Sequence, residues 1–148
     1  MFSGFAPVTL DSKGRMAIPA RFRDGITARC GGNLFGTMDS DEPCILLYPA
    51  PDWEGMARRL MRLSGRKPAI RREQRRMVGR AFEMDMDSHG RILIPAKLRE
   101  KANLTKQAVL VGQGSKFELW DEQGWNDWCD ASDDTDDDLP PELESLLI

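Results

Sequence analysis

Short apolar segments separated by polar turns predict a strand-rich chain whose two halves repeat one order of elements. In each half, an apolar strand leads into an Asp-Ser-x-Gly-Arg turn, and a short strand, a short helix, two further strands and a final helix follow. The strands of the first half are predicted at residues 5–10, 16–18, 34–38 and 44–48. Those of the second half are predicted at residues 81–86, 92–94, 108–112 and 116–120.

The helix ends are predicted from proline, glycine and aspartate. Pro19 and Pro95 are placed to open the short helices, because the N–H that proline lacks has no helical partner at that position. Gly25 is predicted to end the first short helix in a left-handed conformation. Asp52 and Asp121 are predicted to cap the two final helices. Apolar residues at helical spacing predict a stripe that faces the core or another subunit: Trp53, Met56, Ala57, Leu60 and Leu63.

The densest internal similarity surrounds the two turns. Residues 10–23 return as residues 86–99, and eight of the fourteen positions are identical without a gap. The similarity then continues at a shorter offset, at which Trp53 corresponds to Trp125. A match of this density is an internal duplication, and it predicts two half-units that share one core.

These patterns divide the chain into four predicted parts. The first half-unit covers residues 1–63 and the second covers residues 81–129. A basic helical connector covers residues 64–80, where arginines are predicted on one side of a helix. Residues 130–148 form an acidic tail, which is predicted to be disordered because it has little apolar surface to bury.

The charge of the chain is strongly segregated. All 21 Lys and Arg residues lie within residues 1–120, which hold 13 Asp and Glu, so this part carries a net charge of +8. Residues 121–148 hold eleven acidic residues and no basic one. A basic body with an acidic tail is typical of a protein with a polyanionic partner, although charge alone is equally consistent with an ordinary solvated surface.

Several classes of protein are disfavoured by composition. The three cysteines are far apart and His89 is the one histidine, so we expect no metal site and no cofactor. No nucleophile elbow or phosphate loop is present, so we expect neither an enzyme nor a small-molecule substrate. The apolar runs are too short for a membrane span, and no leader is evident. Unpaired thiols suit the cytoplasm.

The repeated turn has a composition with two interpretations. A glycine in each copy is free to adopt a positive φ angle, and an aspartate lies four residues before an arginine. The turn-shaping residues are Asp11, Gly14, Asp87 and Gly90. In the structural interpretation, the Asp–Arg pair only pins a hairpin. In the functional one, the turn directs Arg15 and Arg91 toward a phosphate or a guanine edge.

Basic residues surround both turns and form the candidate DNA-binding set. Its members are Lys13, Arg15, Arg21, Arg23, Arg91, Lys97 and Arg99. His89 takes the place of Lys13 in the second copy. We therefore expect the first turn to contribute more to the attraction of phosphates.

These residues also carry a family resemblance. The opening Met1-Phe2-x-Gly4, the two Asp-x-x-Gly-Arg turns, Ile18-Pro19 and the segments at 44–49, 111–112 and 117–120 resemble the MraZ family of bacterial transcriptional regulators. The resemblance runs from Met1 to about Trp128. Its paired Asp-x-x-x-Arg signature is highly specific, and the acidic tail is not part of it.

The resemblance implies both a fold and a function. The fold would be α+β and strand-rich, a swapped-hairpin AbrB-like barrel of two tandem βαββα half-units in a pseudo-dimer. The function would be sequence-specific regulation, as a repressor, of the cell-division and cell-wall gene cluster. The turns would bind short direct repeats of double-stranded DNA in the protein's own promoter. The chain would form a homo-oligomeric closed ring in the cytoplasm, associated with the nucleoid.

Two other classes of function compete with this one. A protein-interaction module of the toxin–antidote type would also have an AbrB-like domain followed by a partner-binding tail, although antidotes usually carry one copy of the domain. RNA binding is weakly supported, because the turn regions lack the aromatic residues on which single-stranded bases stack. Co-purification of a small protein partner would favour the antidote interpretation.

Overall fold

The computed structural model describes residues 1–133 and 139–147. The first half contains β1 (Phe5–Thr9), β2 (Arg15–Ala17), α1 (Ala20–Cys30), β3 (Asn33–Met38), β4 (Ile45–Pro49) and α2 (Ala50–Arg62). Helix α3 (Pro68–Glu73) and a π-helical turn (Gln74–Val78) connect the halves. The second half contains β5 (Phe82–Asp85), β6 (Arg91–Leu93), α4 (Ala96–Lys101), β7 (Gln107–Gln113), β8 (Lys116–Asp121) and α5 (Glu122–Asp133), and α6 (Pro141–Leu147) comes last.

The two halves share one sheet rather than forming two. Six antiparallel strands lie in the order β1-β7-β8-β4-β3-β5. Each half gives its first strand to the other, because β1 pairs with β7 and β5 pairs with β3. The short strands β2 and β6 pair with each other in a separate two-stranded sheet, which we call the ribbon. The predicted common core is therefore built by exchange of strands between the repeats.

The fold class is confirmed as α+β and strand-rich, but the predicted barrel is wrong. The six-stranded sheet is open, with β1 and β5 at its edges. The short strands pair with each other and leave those edges unjoined. Each half has the order ββαββα that the strand pattern predicts, whereas the βαββα unit implied by the resemblance lacks the short strand after each turn.

Two apolar clusters cover opposite faces of the sheet, since alternate residues of a strand point to opposite sides. One cluster joins Leu47 of β4 to the ribbon and to α1 and α4; Met16 and Ile92 of the ribbon are each 1% exposed. The other joins Tyr48 of the same strand to α2, the π-helical turn and α5. The ribbon and the connector therefore lie on opposite faces of the sheet.

Two of the predicted helix ends are wrong. Helix α1 continues through Gly25 to Cys30, and the C-cap residue Gly31 has a φ of 65°. The lack of a side chain at Gly25 instead leaves space for the ring of Phe2, because a Cβ at this position would lie 3.0 Å from Phe2 Cε1. Asp52 does not cap α2, because its carboxylate accepts two hydrogen bonds from Arg29. Asp121 does cap α5, as predicted, by accepting from the Gly124 N–H at 3.4 Å.

The connector is fixed to the end of α2 by one side chain. The amide of Gln74 donates to the carbonyls of Leu60 and Leu63 at 3.1 and 3.0 Å. Helix α6 has no buried residues. Within the tail 130–148, which is predicted to be disordered, residues 130–133 instead lie in α5 and Pro141–Leu147 form α6, while residues 134–138 and 148 lie outside the described residues. None of the helices in the described part of the chain has the length and apolarity needed to cross a membrane.

Candidate nucleic-acid interface

The first turn is a hairpin closed by one aspartate. The Asp11 N–H donates to the Arg15 carbonyl at 2.9 Å, and the Gly14 N–H donates to the Asp11 carbonyl at 3.0 Å. The carboxylate of Asp11 accepts from the backbone N–H groups of Lys13 and Arg15, both at 2.9 Å. It also accepts from Arg15 Nε at 3.0 Å. The aspartate thus shapes the backbone and holds the arginine at once.

The second turn repeats this arrangement contact for contact. The carboxylate of Asp87 accepts from the backbone N–H groups of His89 and Arg91 at 2.9 Å and from Arg91 Nε at 3.0 Å. The backbone bonds from Asp87 to Arg91 and from Gly90 to Asp87 also recur. The structural interpretation, in which the Asp–Arg pair pins a hairpin, therefore holds for both copies. A role of the arginines in binding would be additional to this structural role.

Both aspartates are held in their charged form. The pKa of Asp11 is lowered below 3.8, chiefly because its carboxylate accepts a hydrogen bond from the Arg15 backbone N–H. The pKa of Asp87 is lowered in the same way, chiefly by the Arg91 backbone N–H. Hydrogen bonds to an ionised carboxylate favour that form. Each arginine consequently has an anionic partner over the whole physiological pH range.

The ribbon places the two arginines on one outer surface. In the β2–β6 register, Arg15 lies opposite Leu93 and Arg91 lies opposite Ala17. Residues two apart in a strand share a face, so Arg15 and Arg91 are diagonal neighbours on the same side. Both side chains are half-exposed and line one cleft, together with Arg99 and Lys106. The two copies of the turn thus place their arginines side by side on one surface rather than at two separate sites.

Each turn is braced by an arginine from the other half. Gly14 has a φ of 89°, and a Cβ there would lie 2.6 Å from Arg99 Nε. Arg99 in turn donates to the Ile94 carbonyl at 3.0 Å, while the Ile94 N–H donates to the Gly14 carbonyl at 2.9 Å. The glycine is therefore required twice, for its backbone conformation and for the space that Arg99 fills.

The reciprocal brace supports the second turn. Gly90 has a φ of 75°, and a Cβ there would lie 2.2 Å from Arg23 Nε. A terminal nitrogen of Arg23 donates to the Ile18 carbonyl at 2.8 Å, and the Ile18 N–H donates to the Gly90 carbonyl. The buried Nε of Arg23 has no hydrogen-bond partner among the described residues, whereas Arg99 uses its Nε. Both arginines are half-buried and contact protein backbone.

The remaining predicted residues are distributed more widely. Lys13 and Lys97 are exposed. Arg21 donates to the Phe5 carbonyl at 2.8 Å, and its guanidinium carbon lies 4.6 Å from the centre of the Phe22 ring. It is not among the residues that line the cleft shared by Arg15 and Arg91. The structure therefore brings together Arg15, Arg91 and Arg99, and leaves Arg21 outside that group.

Lys106 is a cleft residue that sequence reasoning missed. Its carbonyl accepts from the Leu10 N–H at 2.8 Å, and the residue lines the cleft beside the first turn. At the second turn, the corresponding hydrogen bond is donated by the Met86 N–H to the Gly32 carbonyl. Because glycine has no side chain, the second turn has no counterpart of the Lys106 side chain. Only the pairing of β1 with β7 brings Lys106 to the turn, and no local motif signals that pairing.

The strands that enter the two turns also differ in charge. Strand β5 carries Glu83 and Asp85, and both accept from the side-chain amide of Asn33 at 2.9 Å. Strand β1 has the sequence Phe-Ala-Pro-Val-Thr and carries no charge. Within residues 1–133 and 139–147, no group of acidic, histidine or cysteine side chains is arranged to hold a metal ion.

Comparison with known proteins decides the family. The model of a family described as "MraZ protein, putative antitoxin-like" matches the chain twice, over residues 1–76 and 77–139. The chain belongs to the MraZ family. The two matches correspond to the two copies of the Asp-x-x-x-Arg turn, so the duplication seen in the sequence is the family's own repeat.

Relatives in the MraZ family match over their whole length. The chain is 50% identical over 149 residues to a protein of Nitrosomonas europaea, 47% over 152 residues to one of Serratia proteamaculans, and 45% over 152 residues to one of Alkalilimnicola ehrlichii. Each match covers 100% of both chains. All three relatives are named "Transcriptional regulator MraZ".

Proposed function

We propose that this chain is a DNA-binding transcriptional regulator that reads sequence through the paired arginines of the ribbon. The observation that carries the proposal is the common outer surface of Arg15 and Arg91, each held through Nε by its own aspartate. The names of the relatives in the MraZ family support regulation of transcription as the role.

Guanine is the base that this arrangement suits. The contact with Asp11 engages Nε of Arg15 and does not involve the two terminal amino groups. A planar guanidinium donates to guanine O6 and N7 in the major groove, and this is the commonest specific contact between a protein and a base. An arginine that is already oriented loses less conformational freedom on binding.

A two-stranded antiparallel ribbon is also an element that fits the major groove of B-DNA. The inner face of the ribbon is fixed by the burial of Met16 and Ile92, so the element is rigid before it meets DNA. We assign phosphate contacts to Lys13, Lys97 and Lys106, and Arg21 remains a candidate for the same role. Arg23 and Arg99 act as positioning residues, because each braces the turn of the opposite half.

Assembly would multiply a small contact surface. One ribbon is too small for tight specific binding, whereas several ribbons in a closed ring of subunits would engage short direct repeats with a high effective concentration. We propose such a homo-oligomeric ring, acting in the nucleoid as a repressor of the cell-division and cell-wall gene cluster from repeats in its own promoter. The exchange of strands between the halves supports an AbrB-type swapped-hairpin ancestry.

The test is a titration with two DNA fragments. The purified protein is mixed with a fragment of its own upstream region and with a scrambled fragment, at several salt concentrations. An Arg15→Ala/Arg91→Ala variant is measured alongside. We expect a preference for the upstream fragment that disappears in the variant. The log–log salt slope, about 0.9 per neutralised phosphate, gives the number of phosphates contacted.

Two outcomes would contradict the proposal. Equal binding to both fragments by the unmodified protein would mean that the basic surface attracts DNA without reading it. No binding to either fragment, together with co-purification of a small protein from the native host, would favour the antidote-type module. Thermal unfolding of the double variant serves as the control that its fold is intact.

A further inference from the structure

The outer surface of the ribbon carries an apolar residue that the proposed function does not use. Strands β2 and β6 turn Met16 and Ile92 inward, where each is 1% exposed, so the residues on either side of them point outward. These outward residues are Arg15, Ala17, Arg91 and Leu93. Leu93 is 54% exposed. The surface that holds the two arginines therefore also presents a leucine.

Leu93 lies directly beside Arg15, because the two residues are opposite each other in the β2–β6 register. The Ile94 N–H donates to the Gly14 carbonyl at 2.9 Å. Hydrogen-bonded and non-hydrogen-bonded pairs alternate along an antiparallel ladder, so the next pair, Arg15 and Leu93, is a non-hydrogen-bonded one. Side chains lie closest in such pairs, with Cβ atoms about 4.5–5.5 Å apart. The leucine therefore flanks the guanidinium group that we propose to contact guanine.

The two copies differ at this place. Ala17 corresponds to Leu93 in the repeat and lies opposite Arg91 in the register. Ala17 lines the cleft together with both arginines, whereas Leu93 is not among the residues that line it. A single exposed leucine needs no explanation on an ordinary surface. Leu93, however, stands on the surface that the proposed function places in the major groove.

The chemistry of the major groove leaves one kind of group for a leucine to contact. Phosphates and the polar edges of bases lose hydrogen bonds to water when an apolar side chain covers them, and this loss is unfavourable. The C5-methyl group of thymine is the apolar group among the base edges of the major groove. Contact between this methyl group and Leu93 removes apolar surface of both partners from water, which is favourable.

We propose that Leu93 is a specificity-determining residue that reads the C5-methyl group of a thymine near the guanine contacted by Arg15. This inference rests on the proposed function, in which the ribbon enters the major groove. Successive bases of one strand are about 3.4 Å apart, so a leucine about 5 Å from Arg15 places the thymine within roughly three base pairs of that guanine. The leucine adds to the readout by the two arginines and leaves their equal roles unchanged.

The test is a cycle of two chains and two DNA fragments. The unmodified chain and Leu93→Ala are each titrated by anisotropy against the upstream fragment and against the same fragment with deoxyuridine in place of every thymidine. Uracil pairs as thymine does but lacks the methyl group. Leu63→Ala is the matched control, because Leu63 is 51% exposed and follows α2, which lies on the face of the sheet opposite the ribbon. Thermal unfolding and size-exclusion chromatography check the fold and the assembly of each variant.

We expect the unmodified chain and Leu63→Ala to bind the uracil fragment about fourfold more weakly than the thymine fragment, because burial of one methyl group changes an equilibrium constant by about that factor. Leu93→Ala should lose most of this difference, and the cycle cancels any effect of uracil on the shape of the DNA. An undiminished difference in Leu93→Ala would overturn the proposal. So would a changed oligomeric state of that variant, because Leu93 would then be a contact between subunits.

The same titrations separate this inference from the proposed function. If the unmodified chain does not prefer the upstream fragment to a scrambled one, readout by the ribbon fails, and the role of Leu93 fails with it. A preference for the upstream fragment together with no effect of uracil would overturn the role of Leu93 alone.

Single base replacements test where the leucine reads. 7-Deazaguanine lacks the N7 acceptor, so the guanine read by Arg15 is the one at which this replacement weakens the unmodified chain but not Arg15→Ala. Single replacements of thymine by uracil then locate the methyl group that Leu93 contacts. We expect this thymine within roughly three base pairs of that guanine. A uracil-sensitive thymine half a helical turn or more away would contradict the proposal.

Discussion

The two turns share one geometry and differ in the charges around it. In each, the carboxylate of an aspartate accepts three hydrogen bonds, one of them from Nε of the arginine at 3.0 Å. Lys13 and Lys106 flank the first turn. The corresponding residues of the second are His89 and Gly32, and the strand that enters it carries two carboxylates. The two copies therefore share the aspartate contacts that position the arginine. They differ in the charged residues nearby, which set the local electrostatic potential.

This difference separates two parts of DNA recognition. Base readout depends on the position of the guanidinium group, and the two turns are equal in that respect. Attraction to phosphates depends on nearby cations, and the first turn is richer in them. We therefore expect the two turns to contribute equally to discrimination between sequences and unequally to the dependence of binding on salt.

The largest expected effect follows from removing one arginine at a time. Arg15→Ala and Arg91→Ala should each reduce discrimination between the upstream and scrambled fragments by roughly 1–3 kcal/mol, or about 5- to 150-fold. Anisotropy titrations of both fragments measure this. Arg72→Ala, on the opposite face of the sheet, is the matched control and should leave discrimination unchanged. Equal losses from Arg15→Ala and Arg72→Ala would argue against readout by the turns.

The next largest effect is a loss of stability when Gly14 or Gly90 is replaced, because an arginine of the other half packs against each of these glycines. Gly14→Ala and Gly90→Ala should lower the free energy of unfolding by more than the roughly 1–2 kcal/mol that a left-handed backbone costs a non-glycine residue. The matched control is Gly114→Ala, because Gly114 has a φ of 77° and no atom within 4 Å of its Cβ position. Urea unfolding measures all three. An equal loss at all three glycines would exclude any contribution from Arg23 and Arg99.

A smaller effect follows from exchanging the turn cations. Lys13→His should reduce the log–log salt slope of binding by about 0.9, and His89→Lys should raise it by a similar amount, because a lysine ammonium neutralises about one phosphate. The measurement is a salt titration at pH 8 with the scrambled fragment. The chain with both substitutions should return to the original slope. A slope that does not respond to either substitution would place the phosphate contacts elsewhere.

The smallest effect is the pH dependence of the stability that the two aspartates give to the turns. Because the pKa values of Asp11 and Asp87 are lowered in the folded protein, their contribution to stability is complete above the ordinary value of 3.8. It is lost only as the pH falls through the lowered values. Both turns should thus be intact at pH 5, as followed by carbon-13 NMR of the carboxyl groups. A carboxyl that titrates at or above 3.8 would contradict the hydrogen bonding described for that turn.

Much of the fold could be predicted because the repeat and the strand pattern are local signals. The predicted strands match the observed ones to within one or two residues, and the duplication correctly indicated a shared core. The barrel, the end of α1 at Gly25 and the cap at Asp52 were wrong. Each depends on a distant partner: the pairing of β2 with β6, the ring of Phe2, and Arg29.

The candidate site also contains local features that the sequence predicts and long-range contacts that it does not. The contacts of Asp11 and Asp87 within their own turns follow from residue spacing, so sequence reasoning found them. The bracing joins Arg23 to Gly90 and Arg99 to Gly14, which are 67 and 85 positions apart, and it becomes visible only after the halves exchange strands. Lys106 was missed for the same reason. A basic residue near a motif is therefore weak grounds for a direct ligand contact, because its guanidinium group is equally suited to bonding backbone carbonyls.

The most direct test of the account follows the arginine Nε–H signals in a nitrogen-15 NMR spectrum while the upstream duplex is added. Arg15 and Arg91 should give resolved signals in the free protein, because each Nε–H donates to an aspartate. Both signals should shift as the duplex binds, while those of Arg71 and Arg72 stay in place. Shifts confined to the connector arginines, with Arg15 and Arg91 unmoved, would contradict readout by the paired turns.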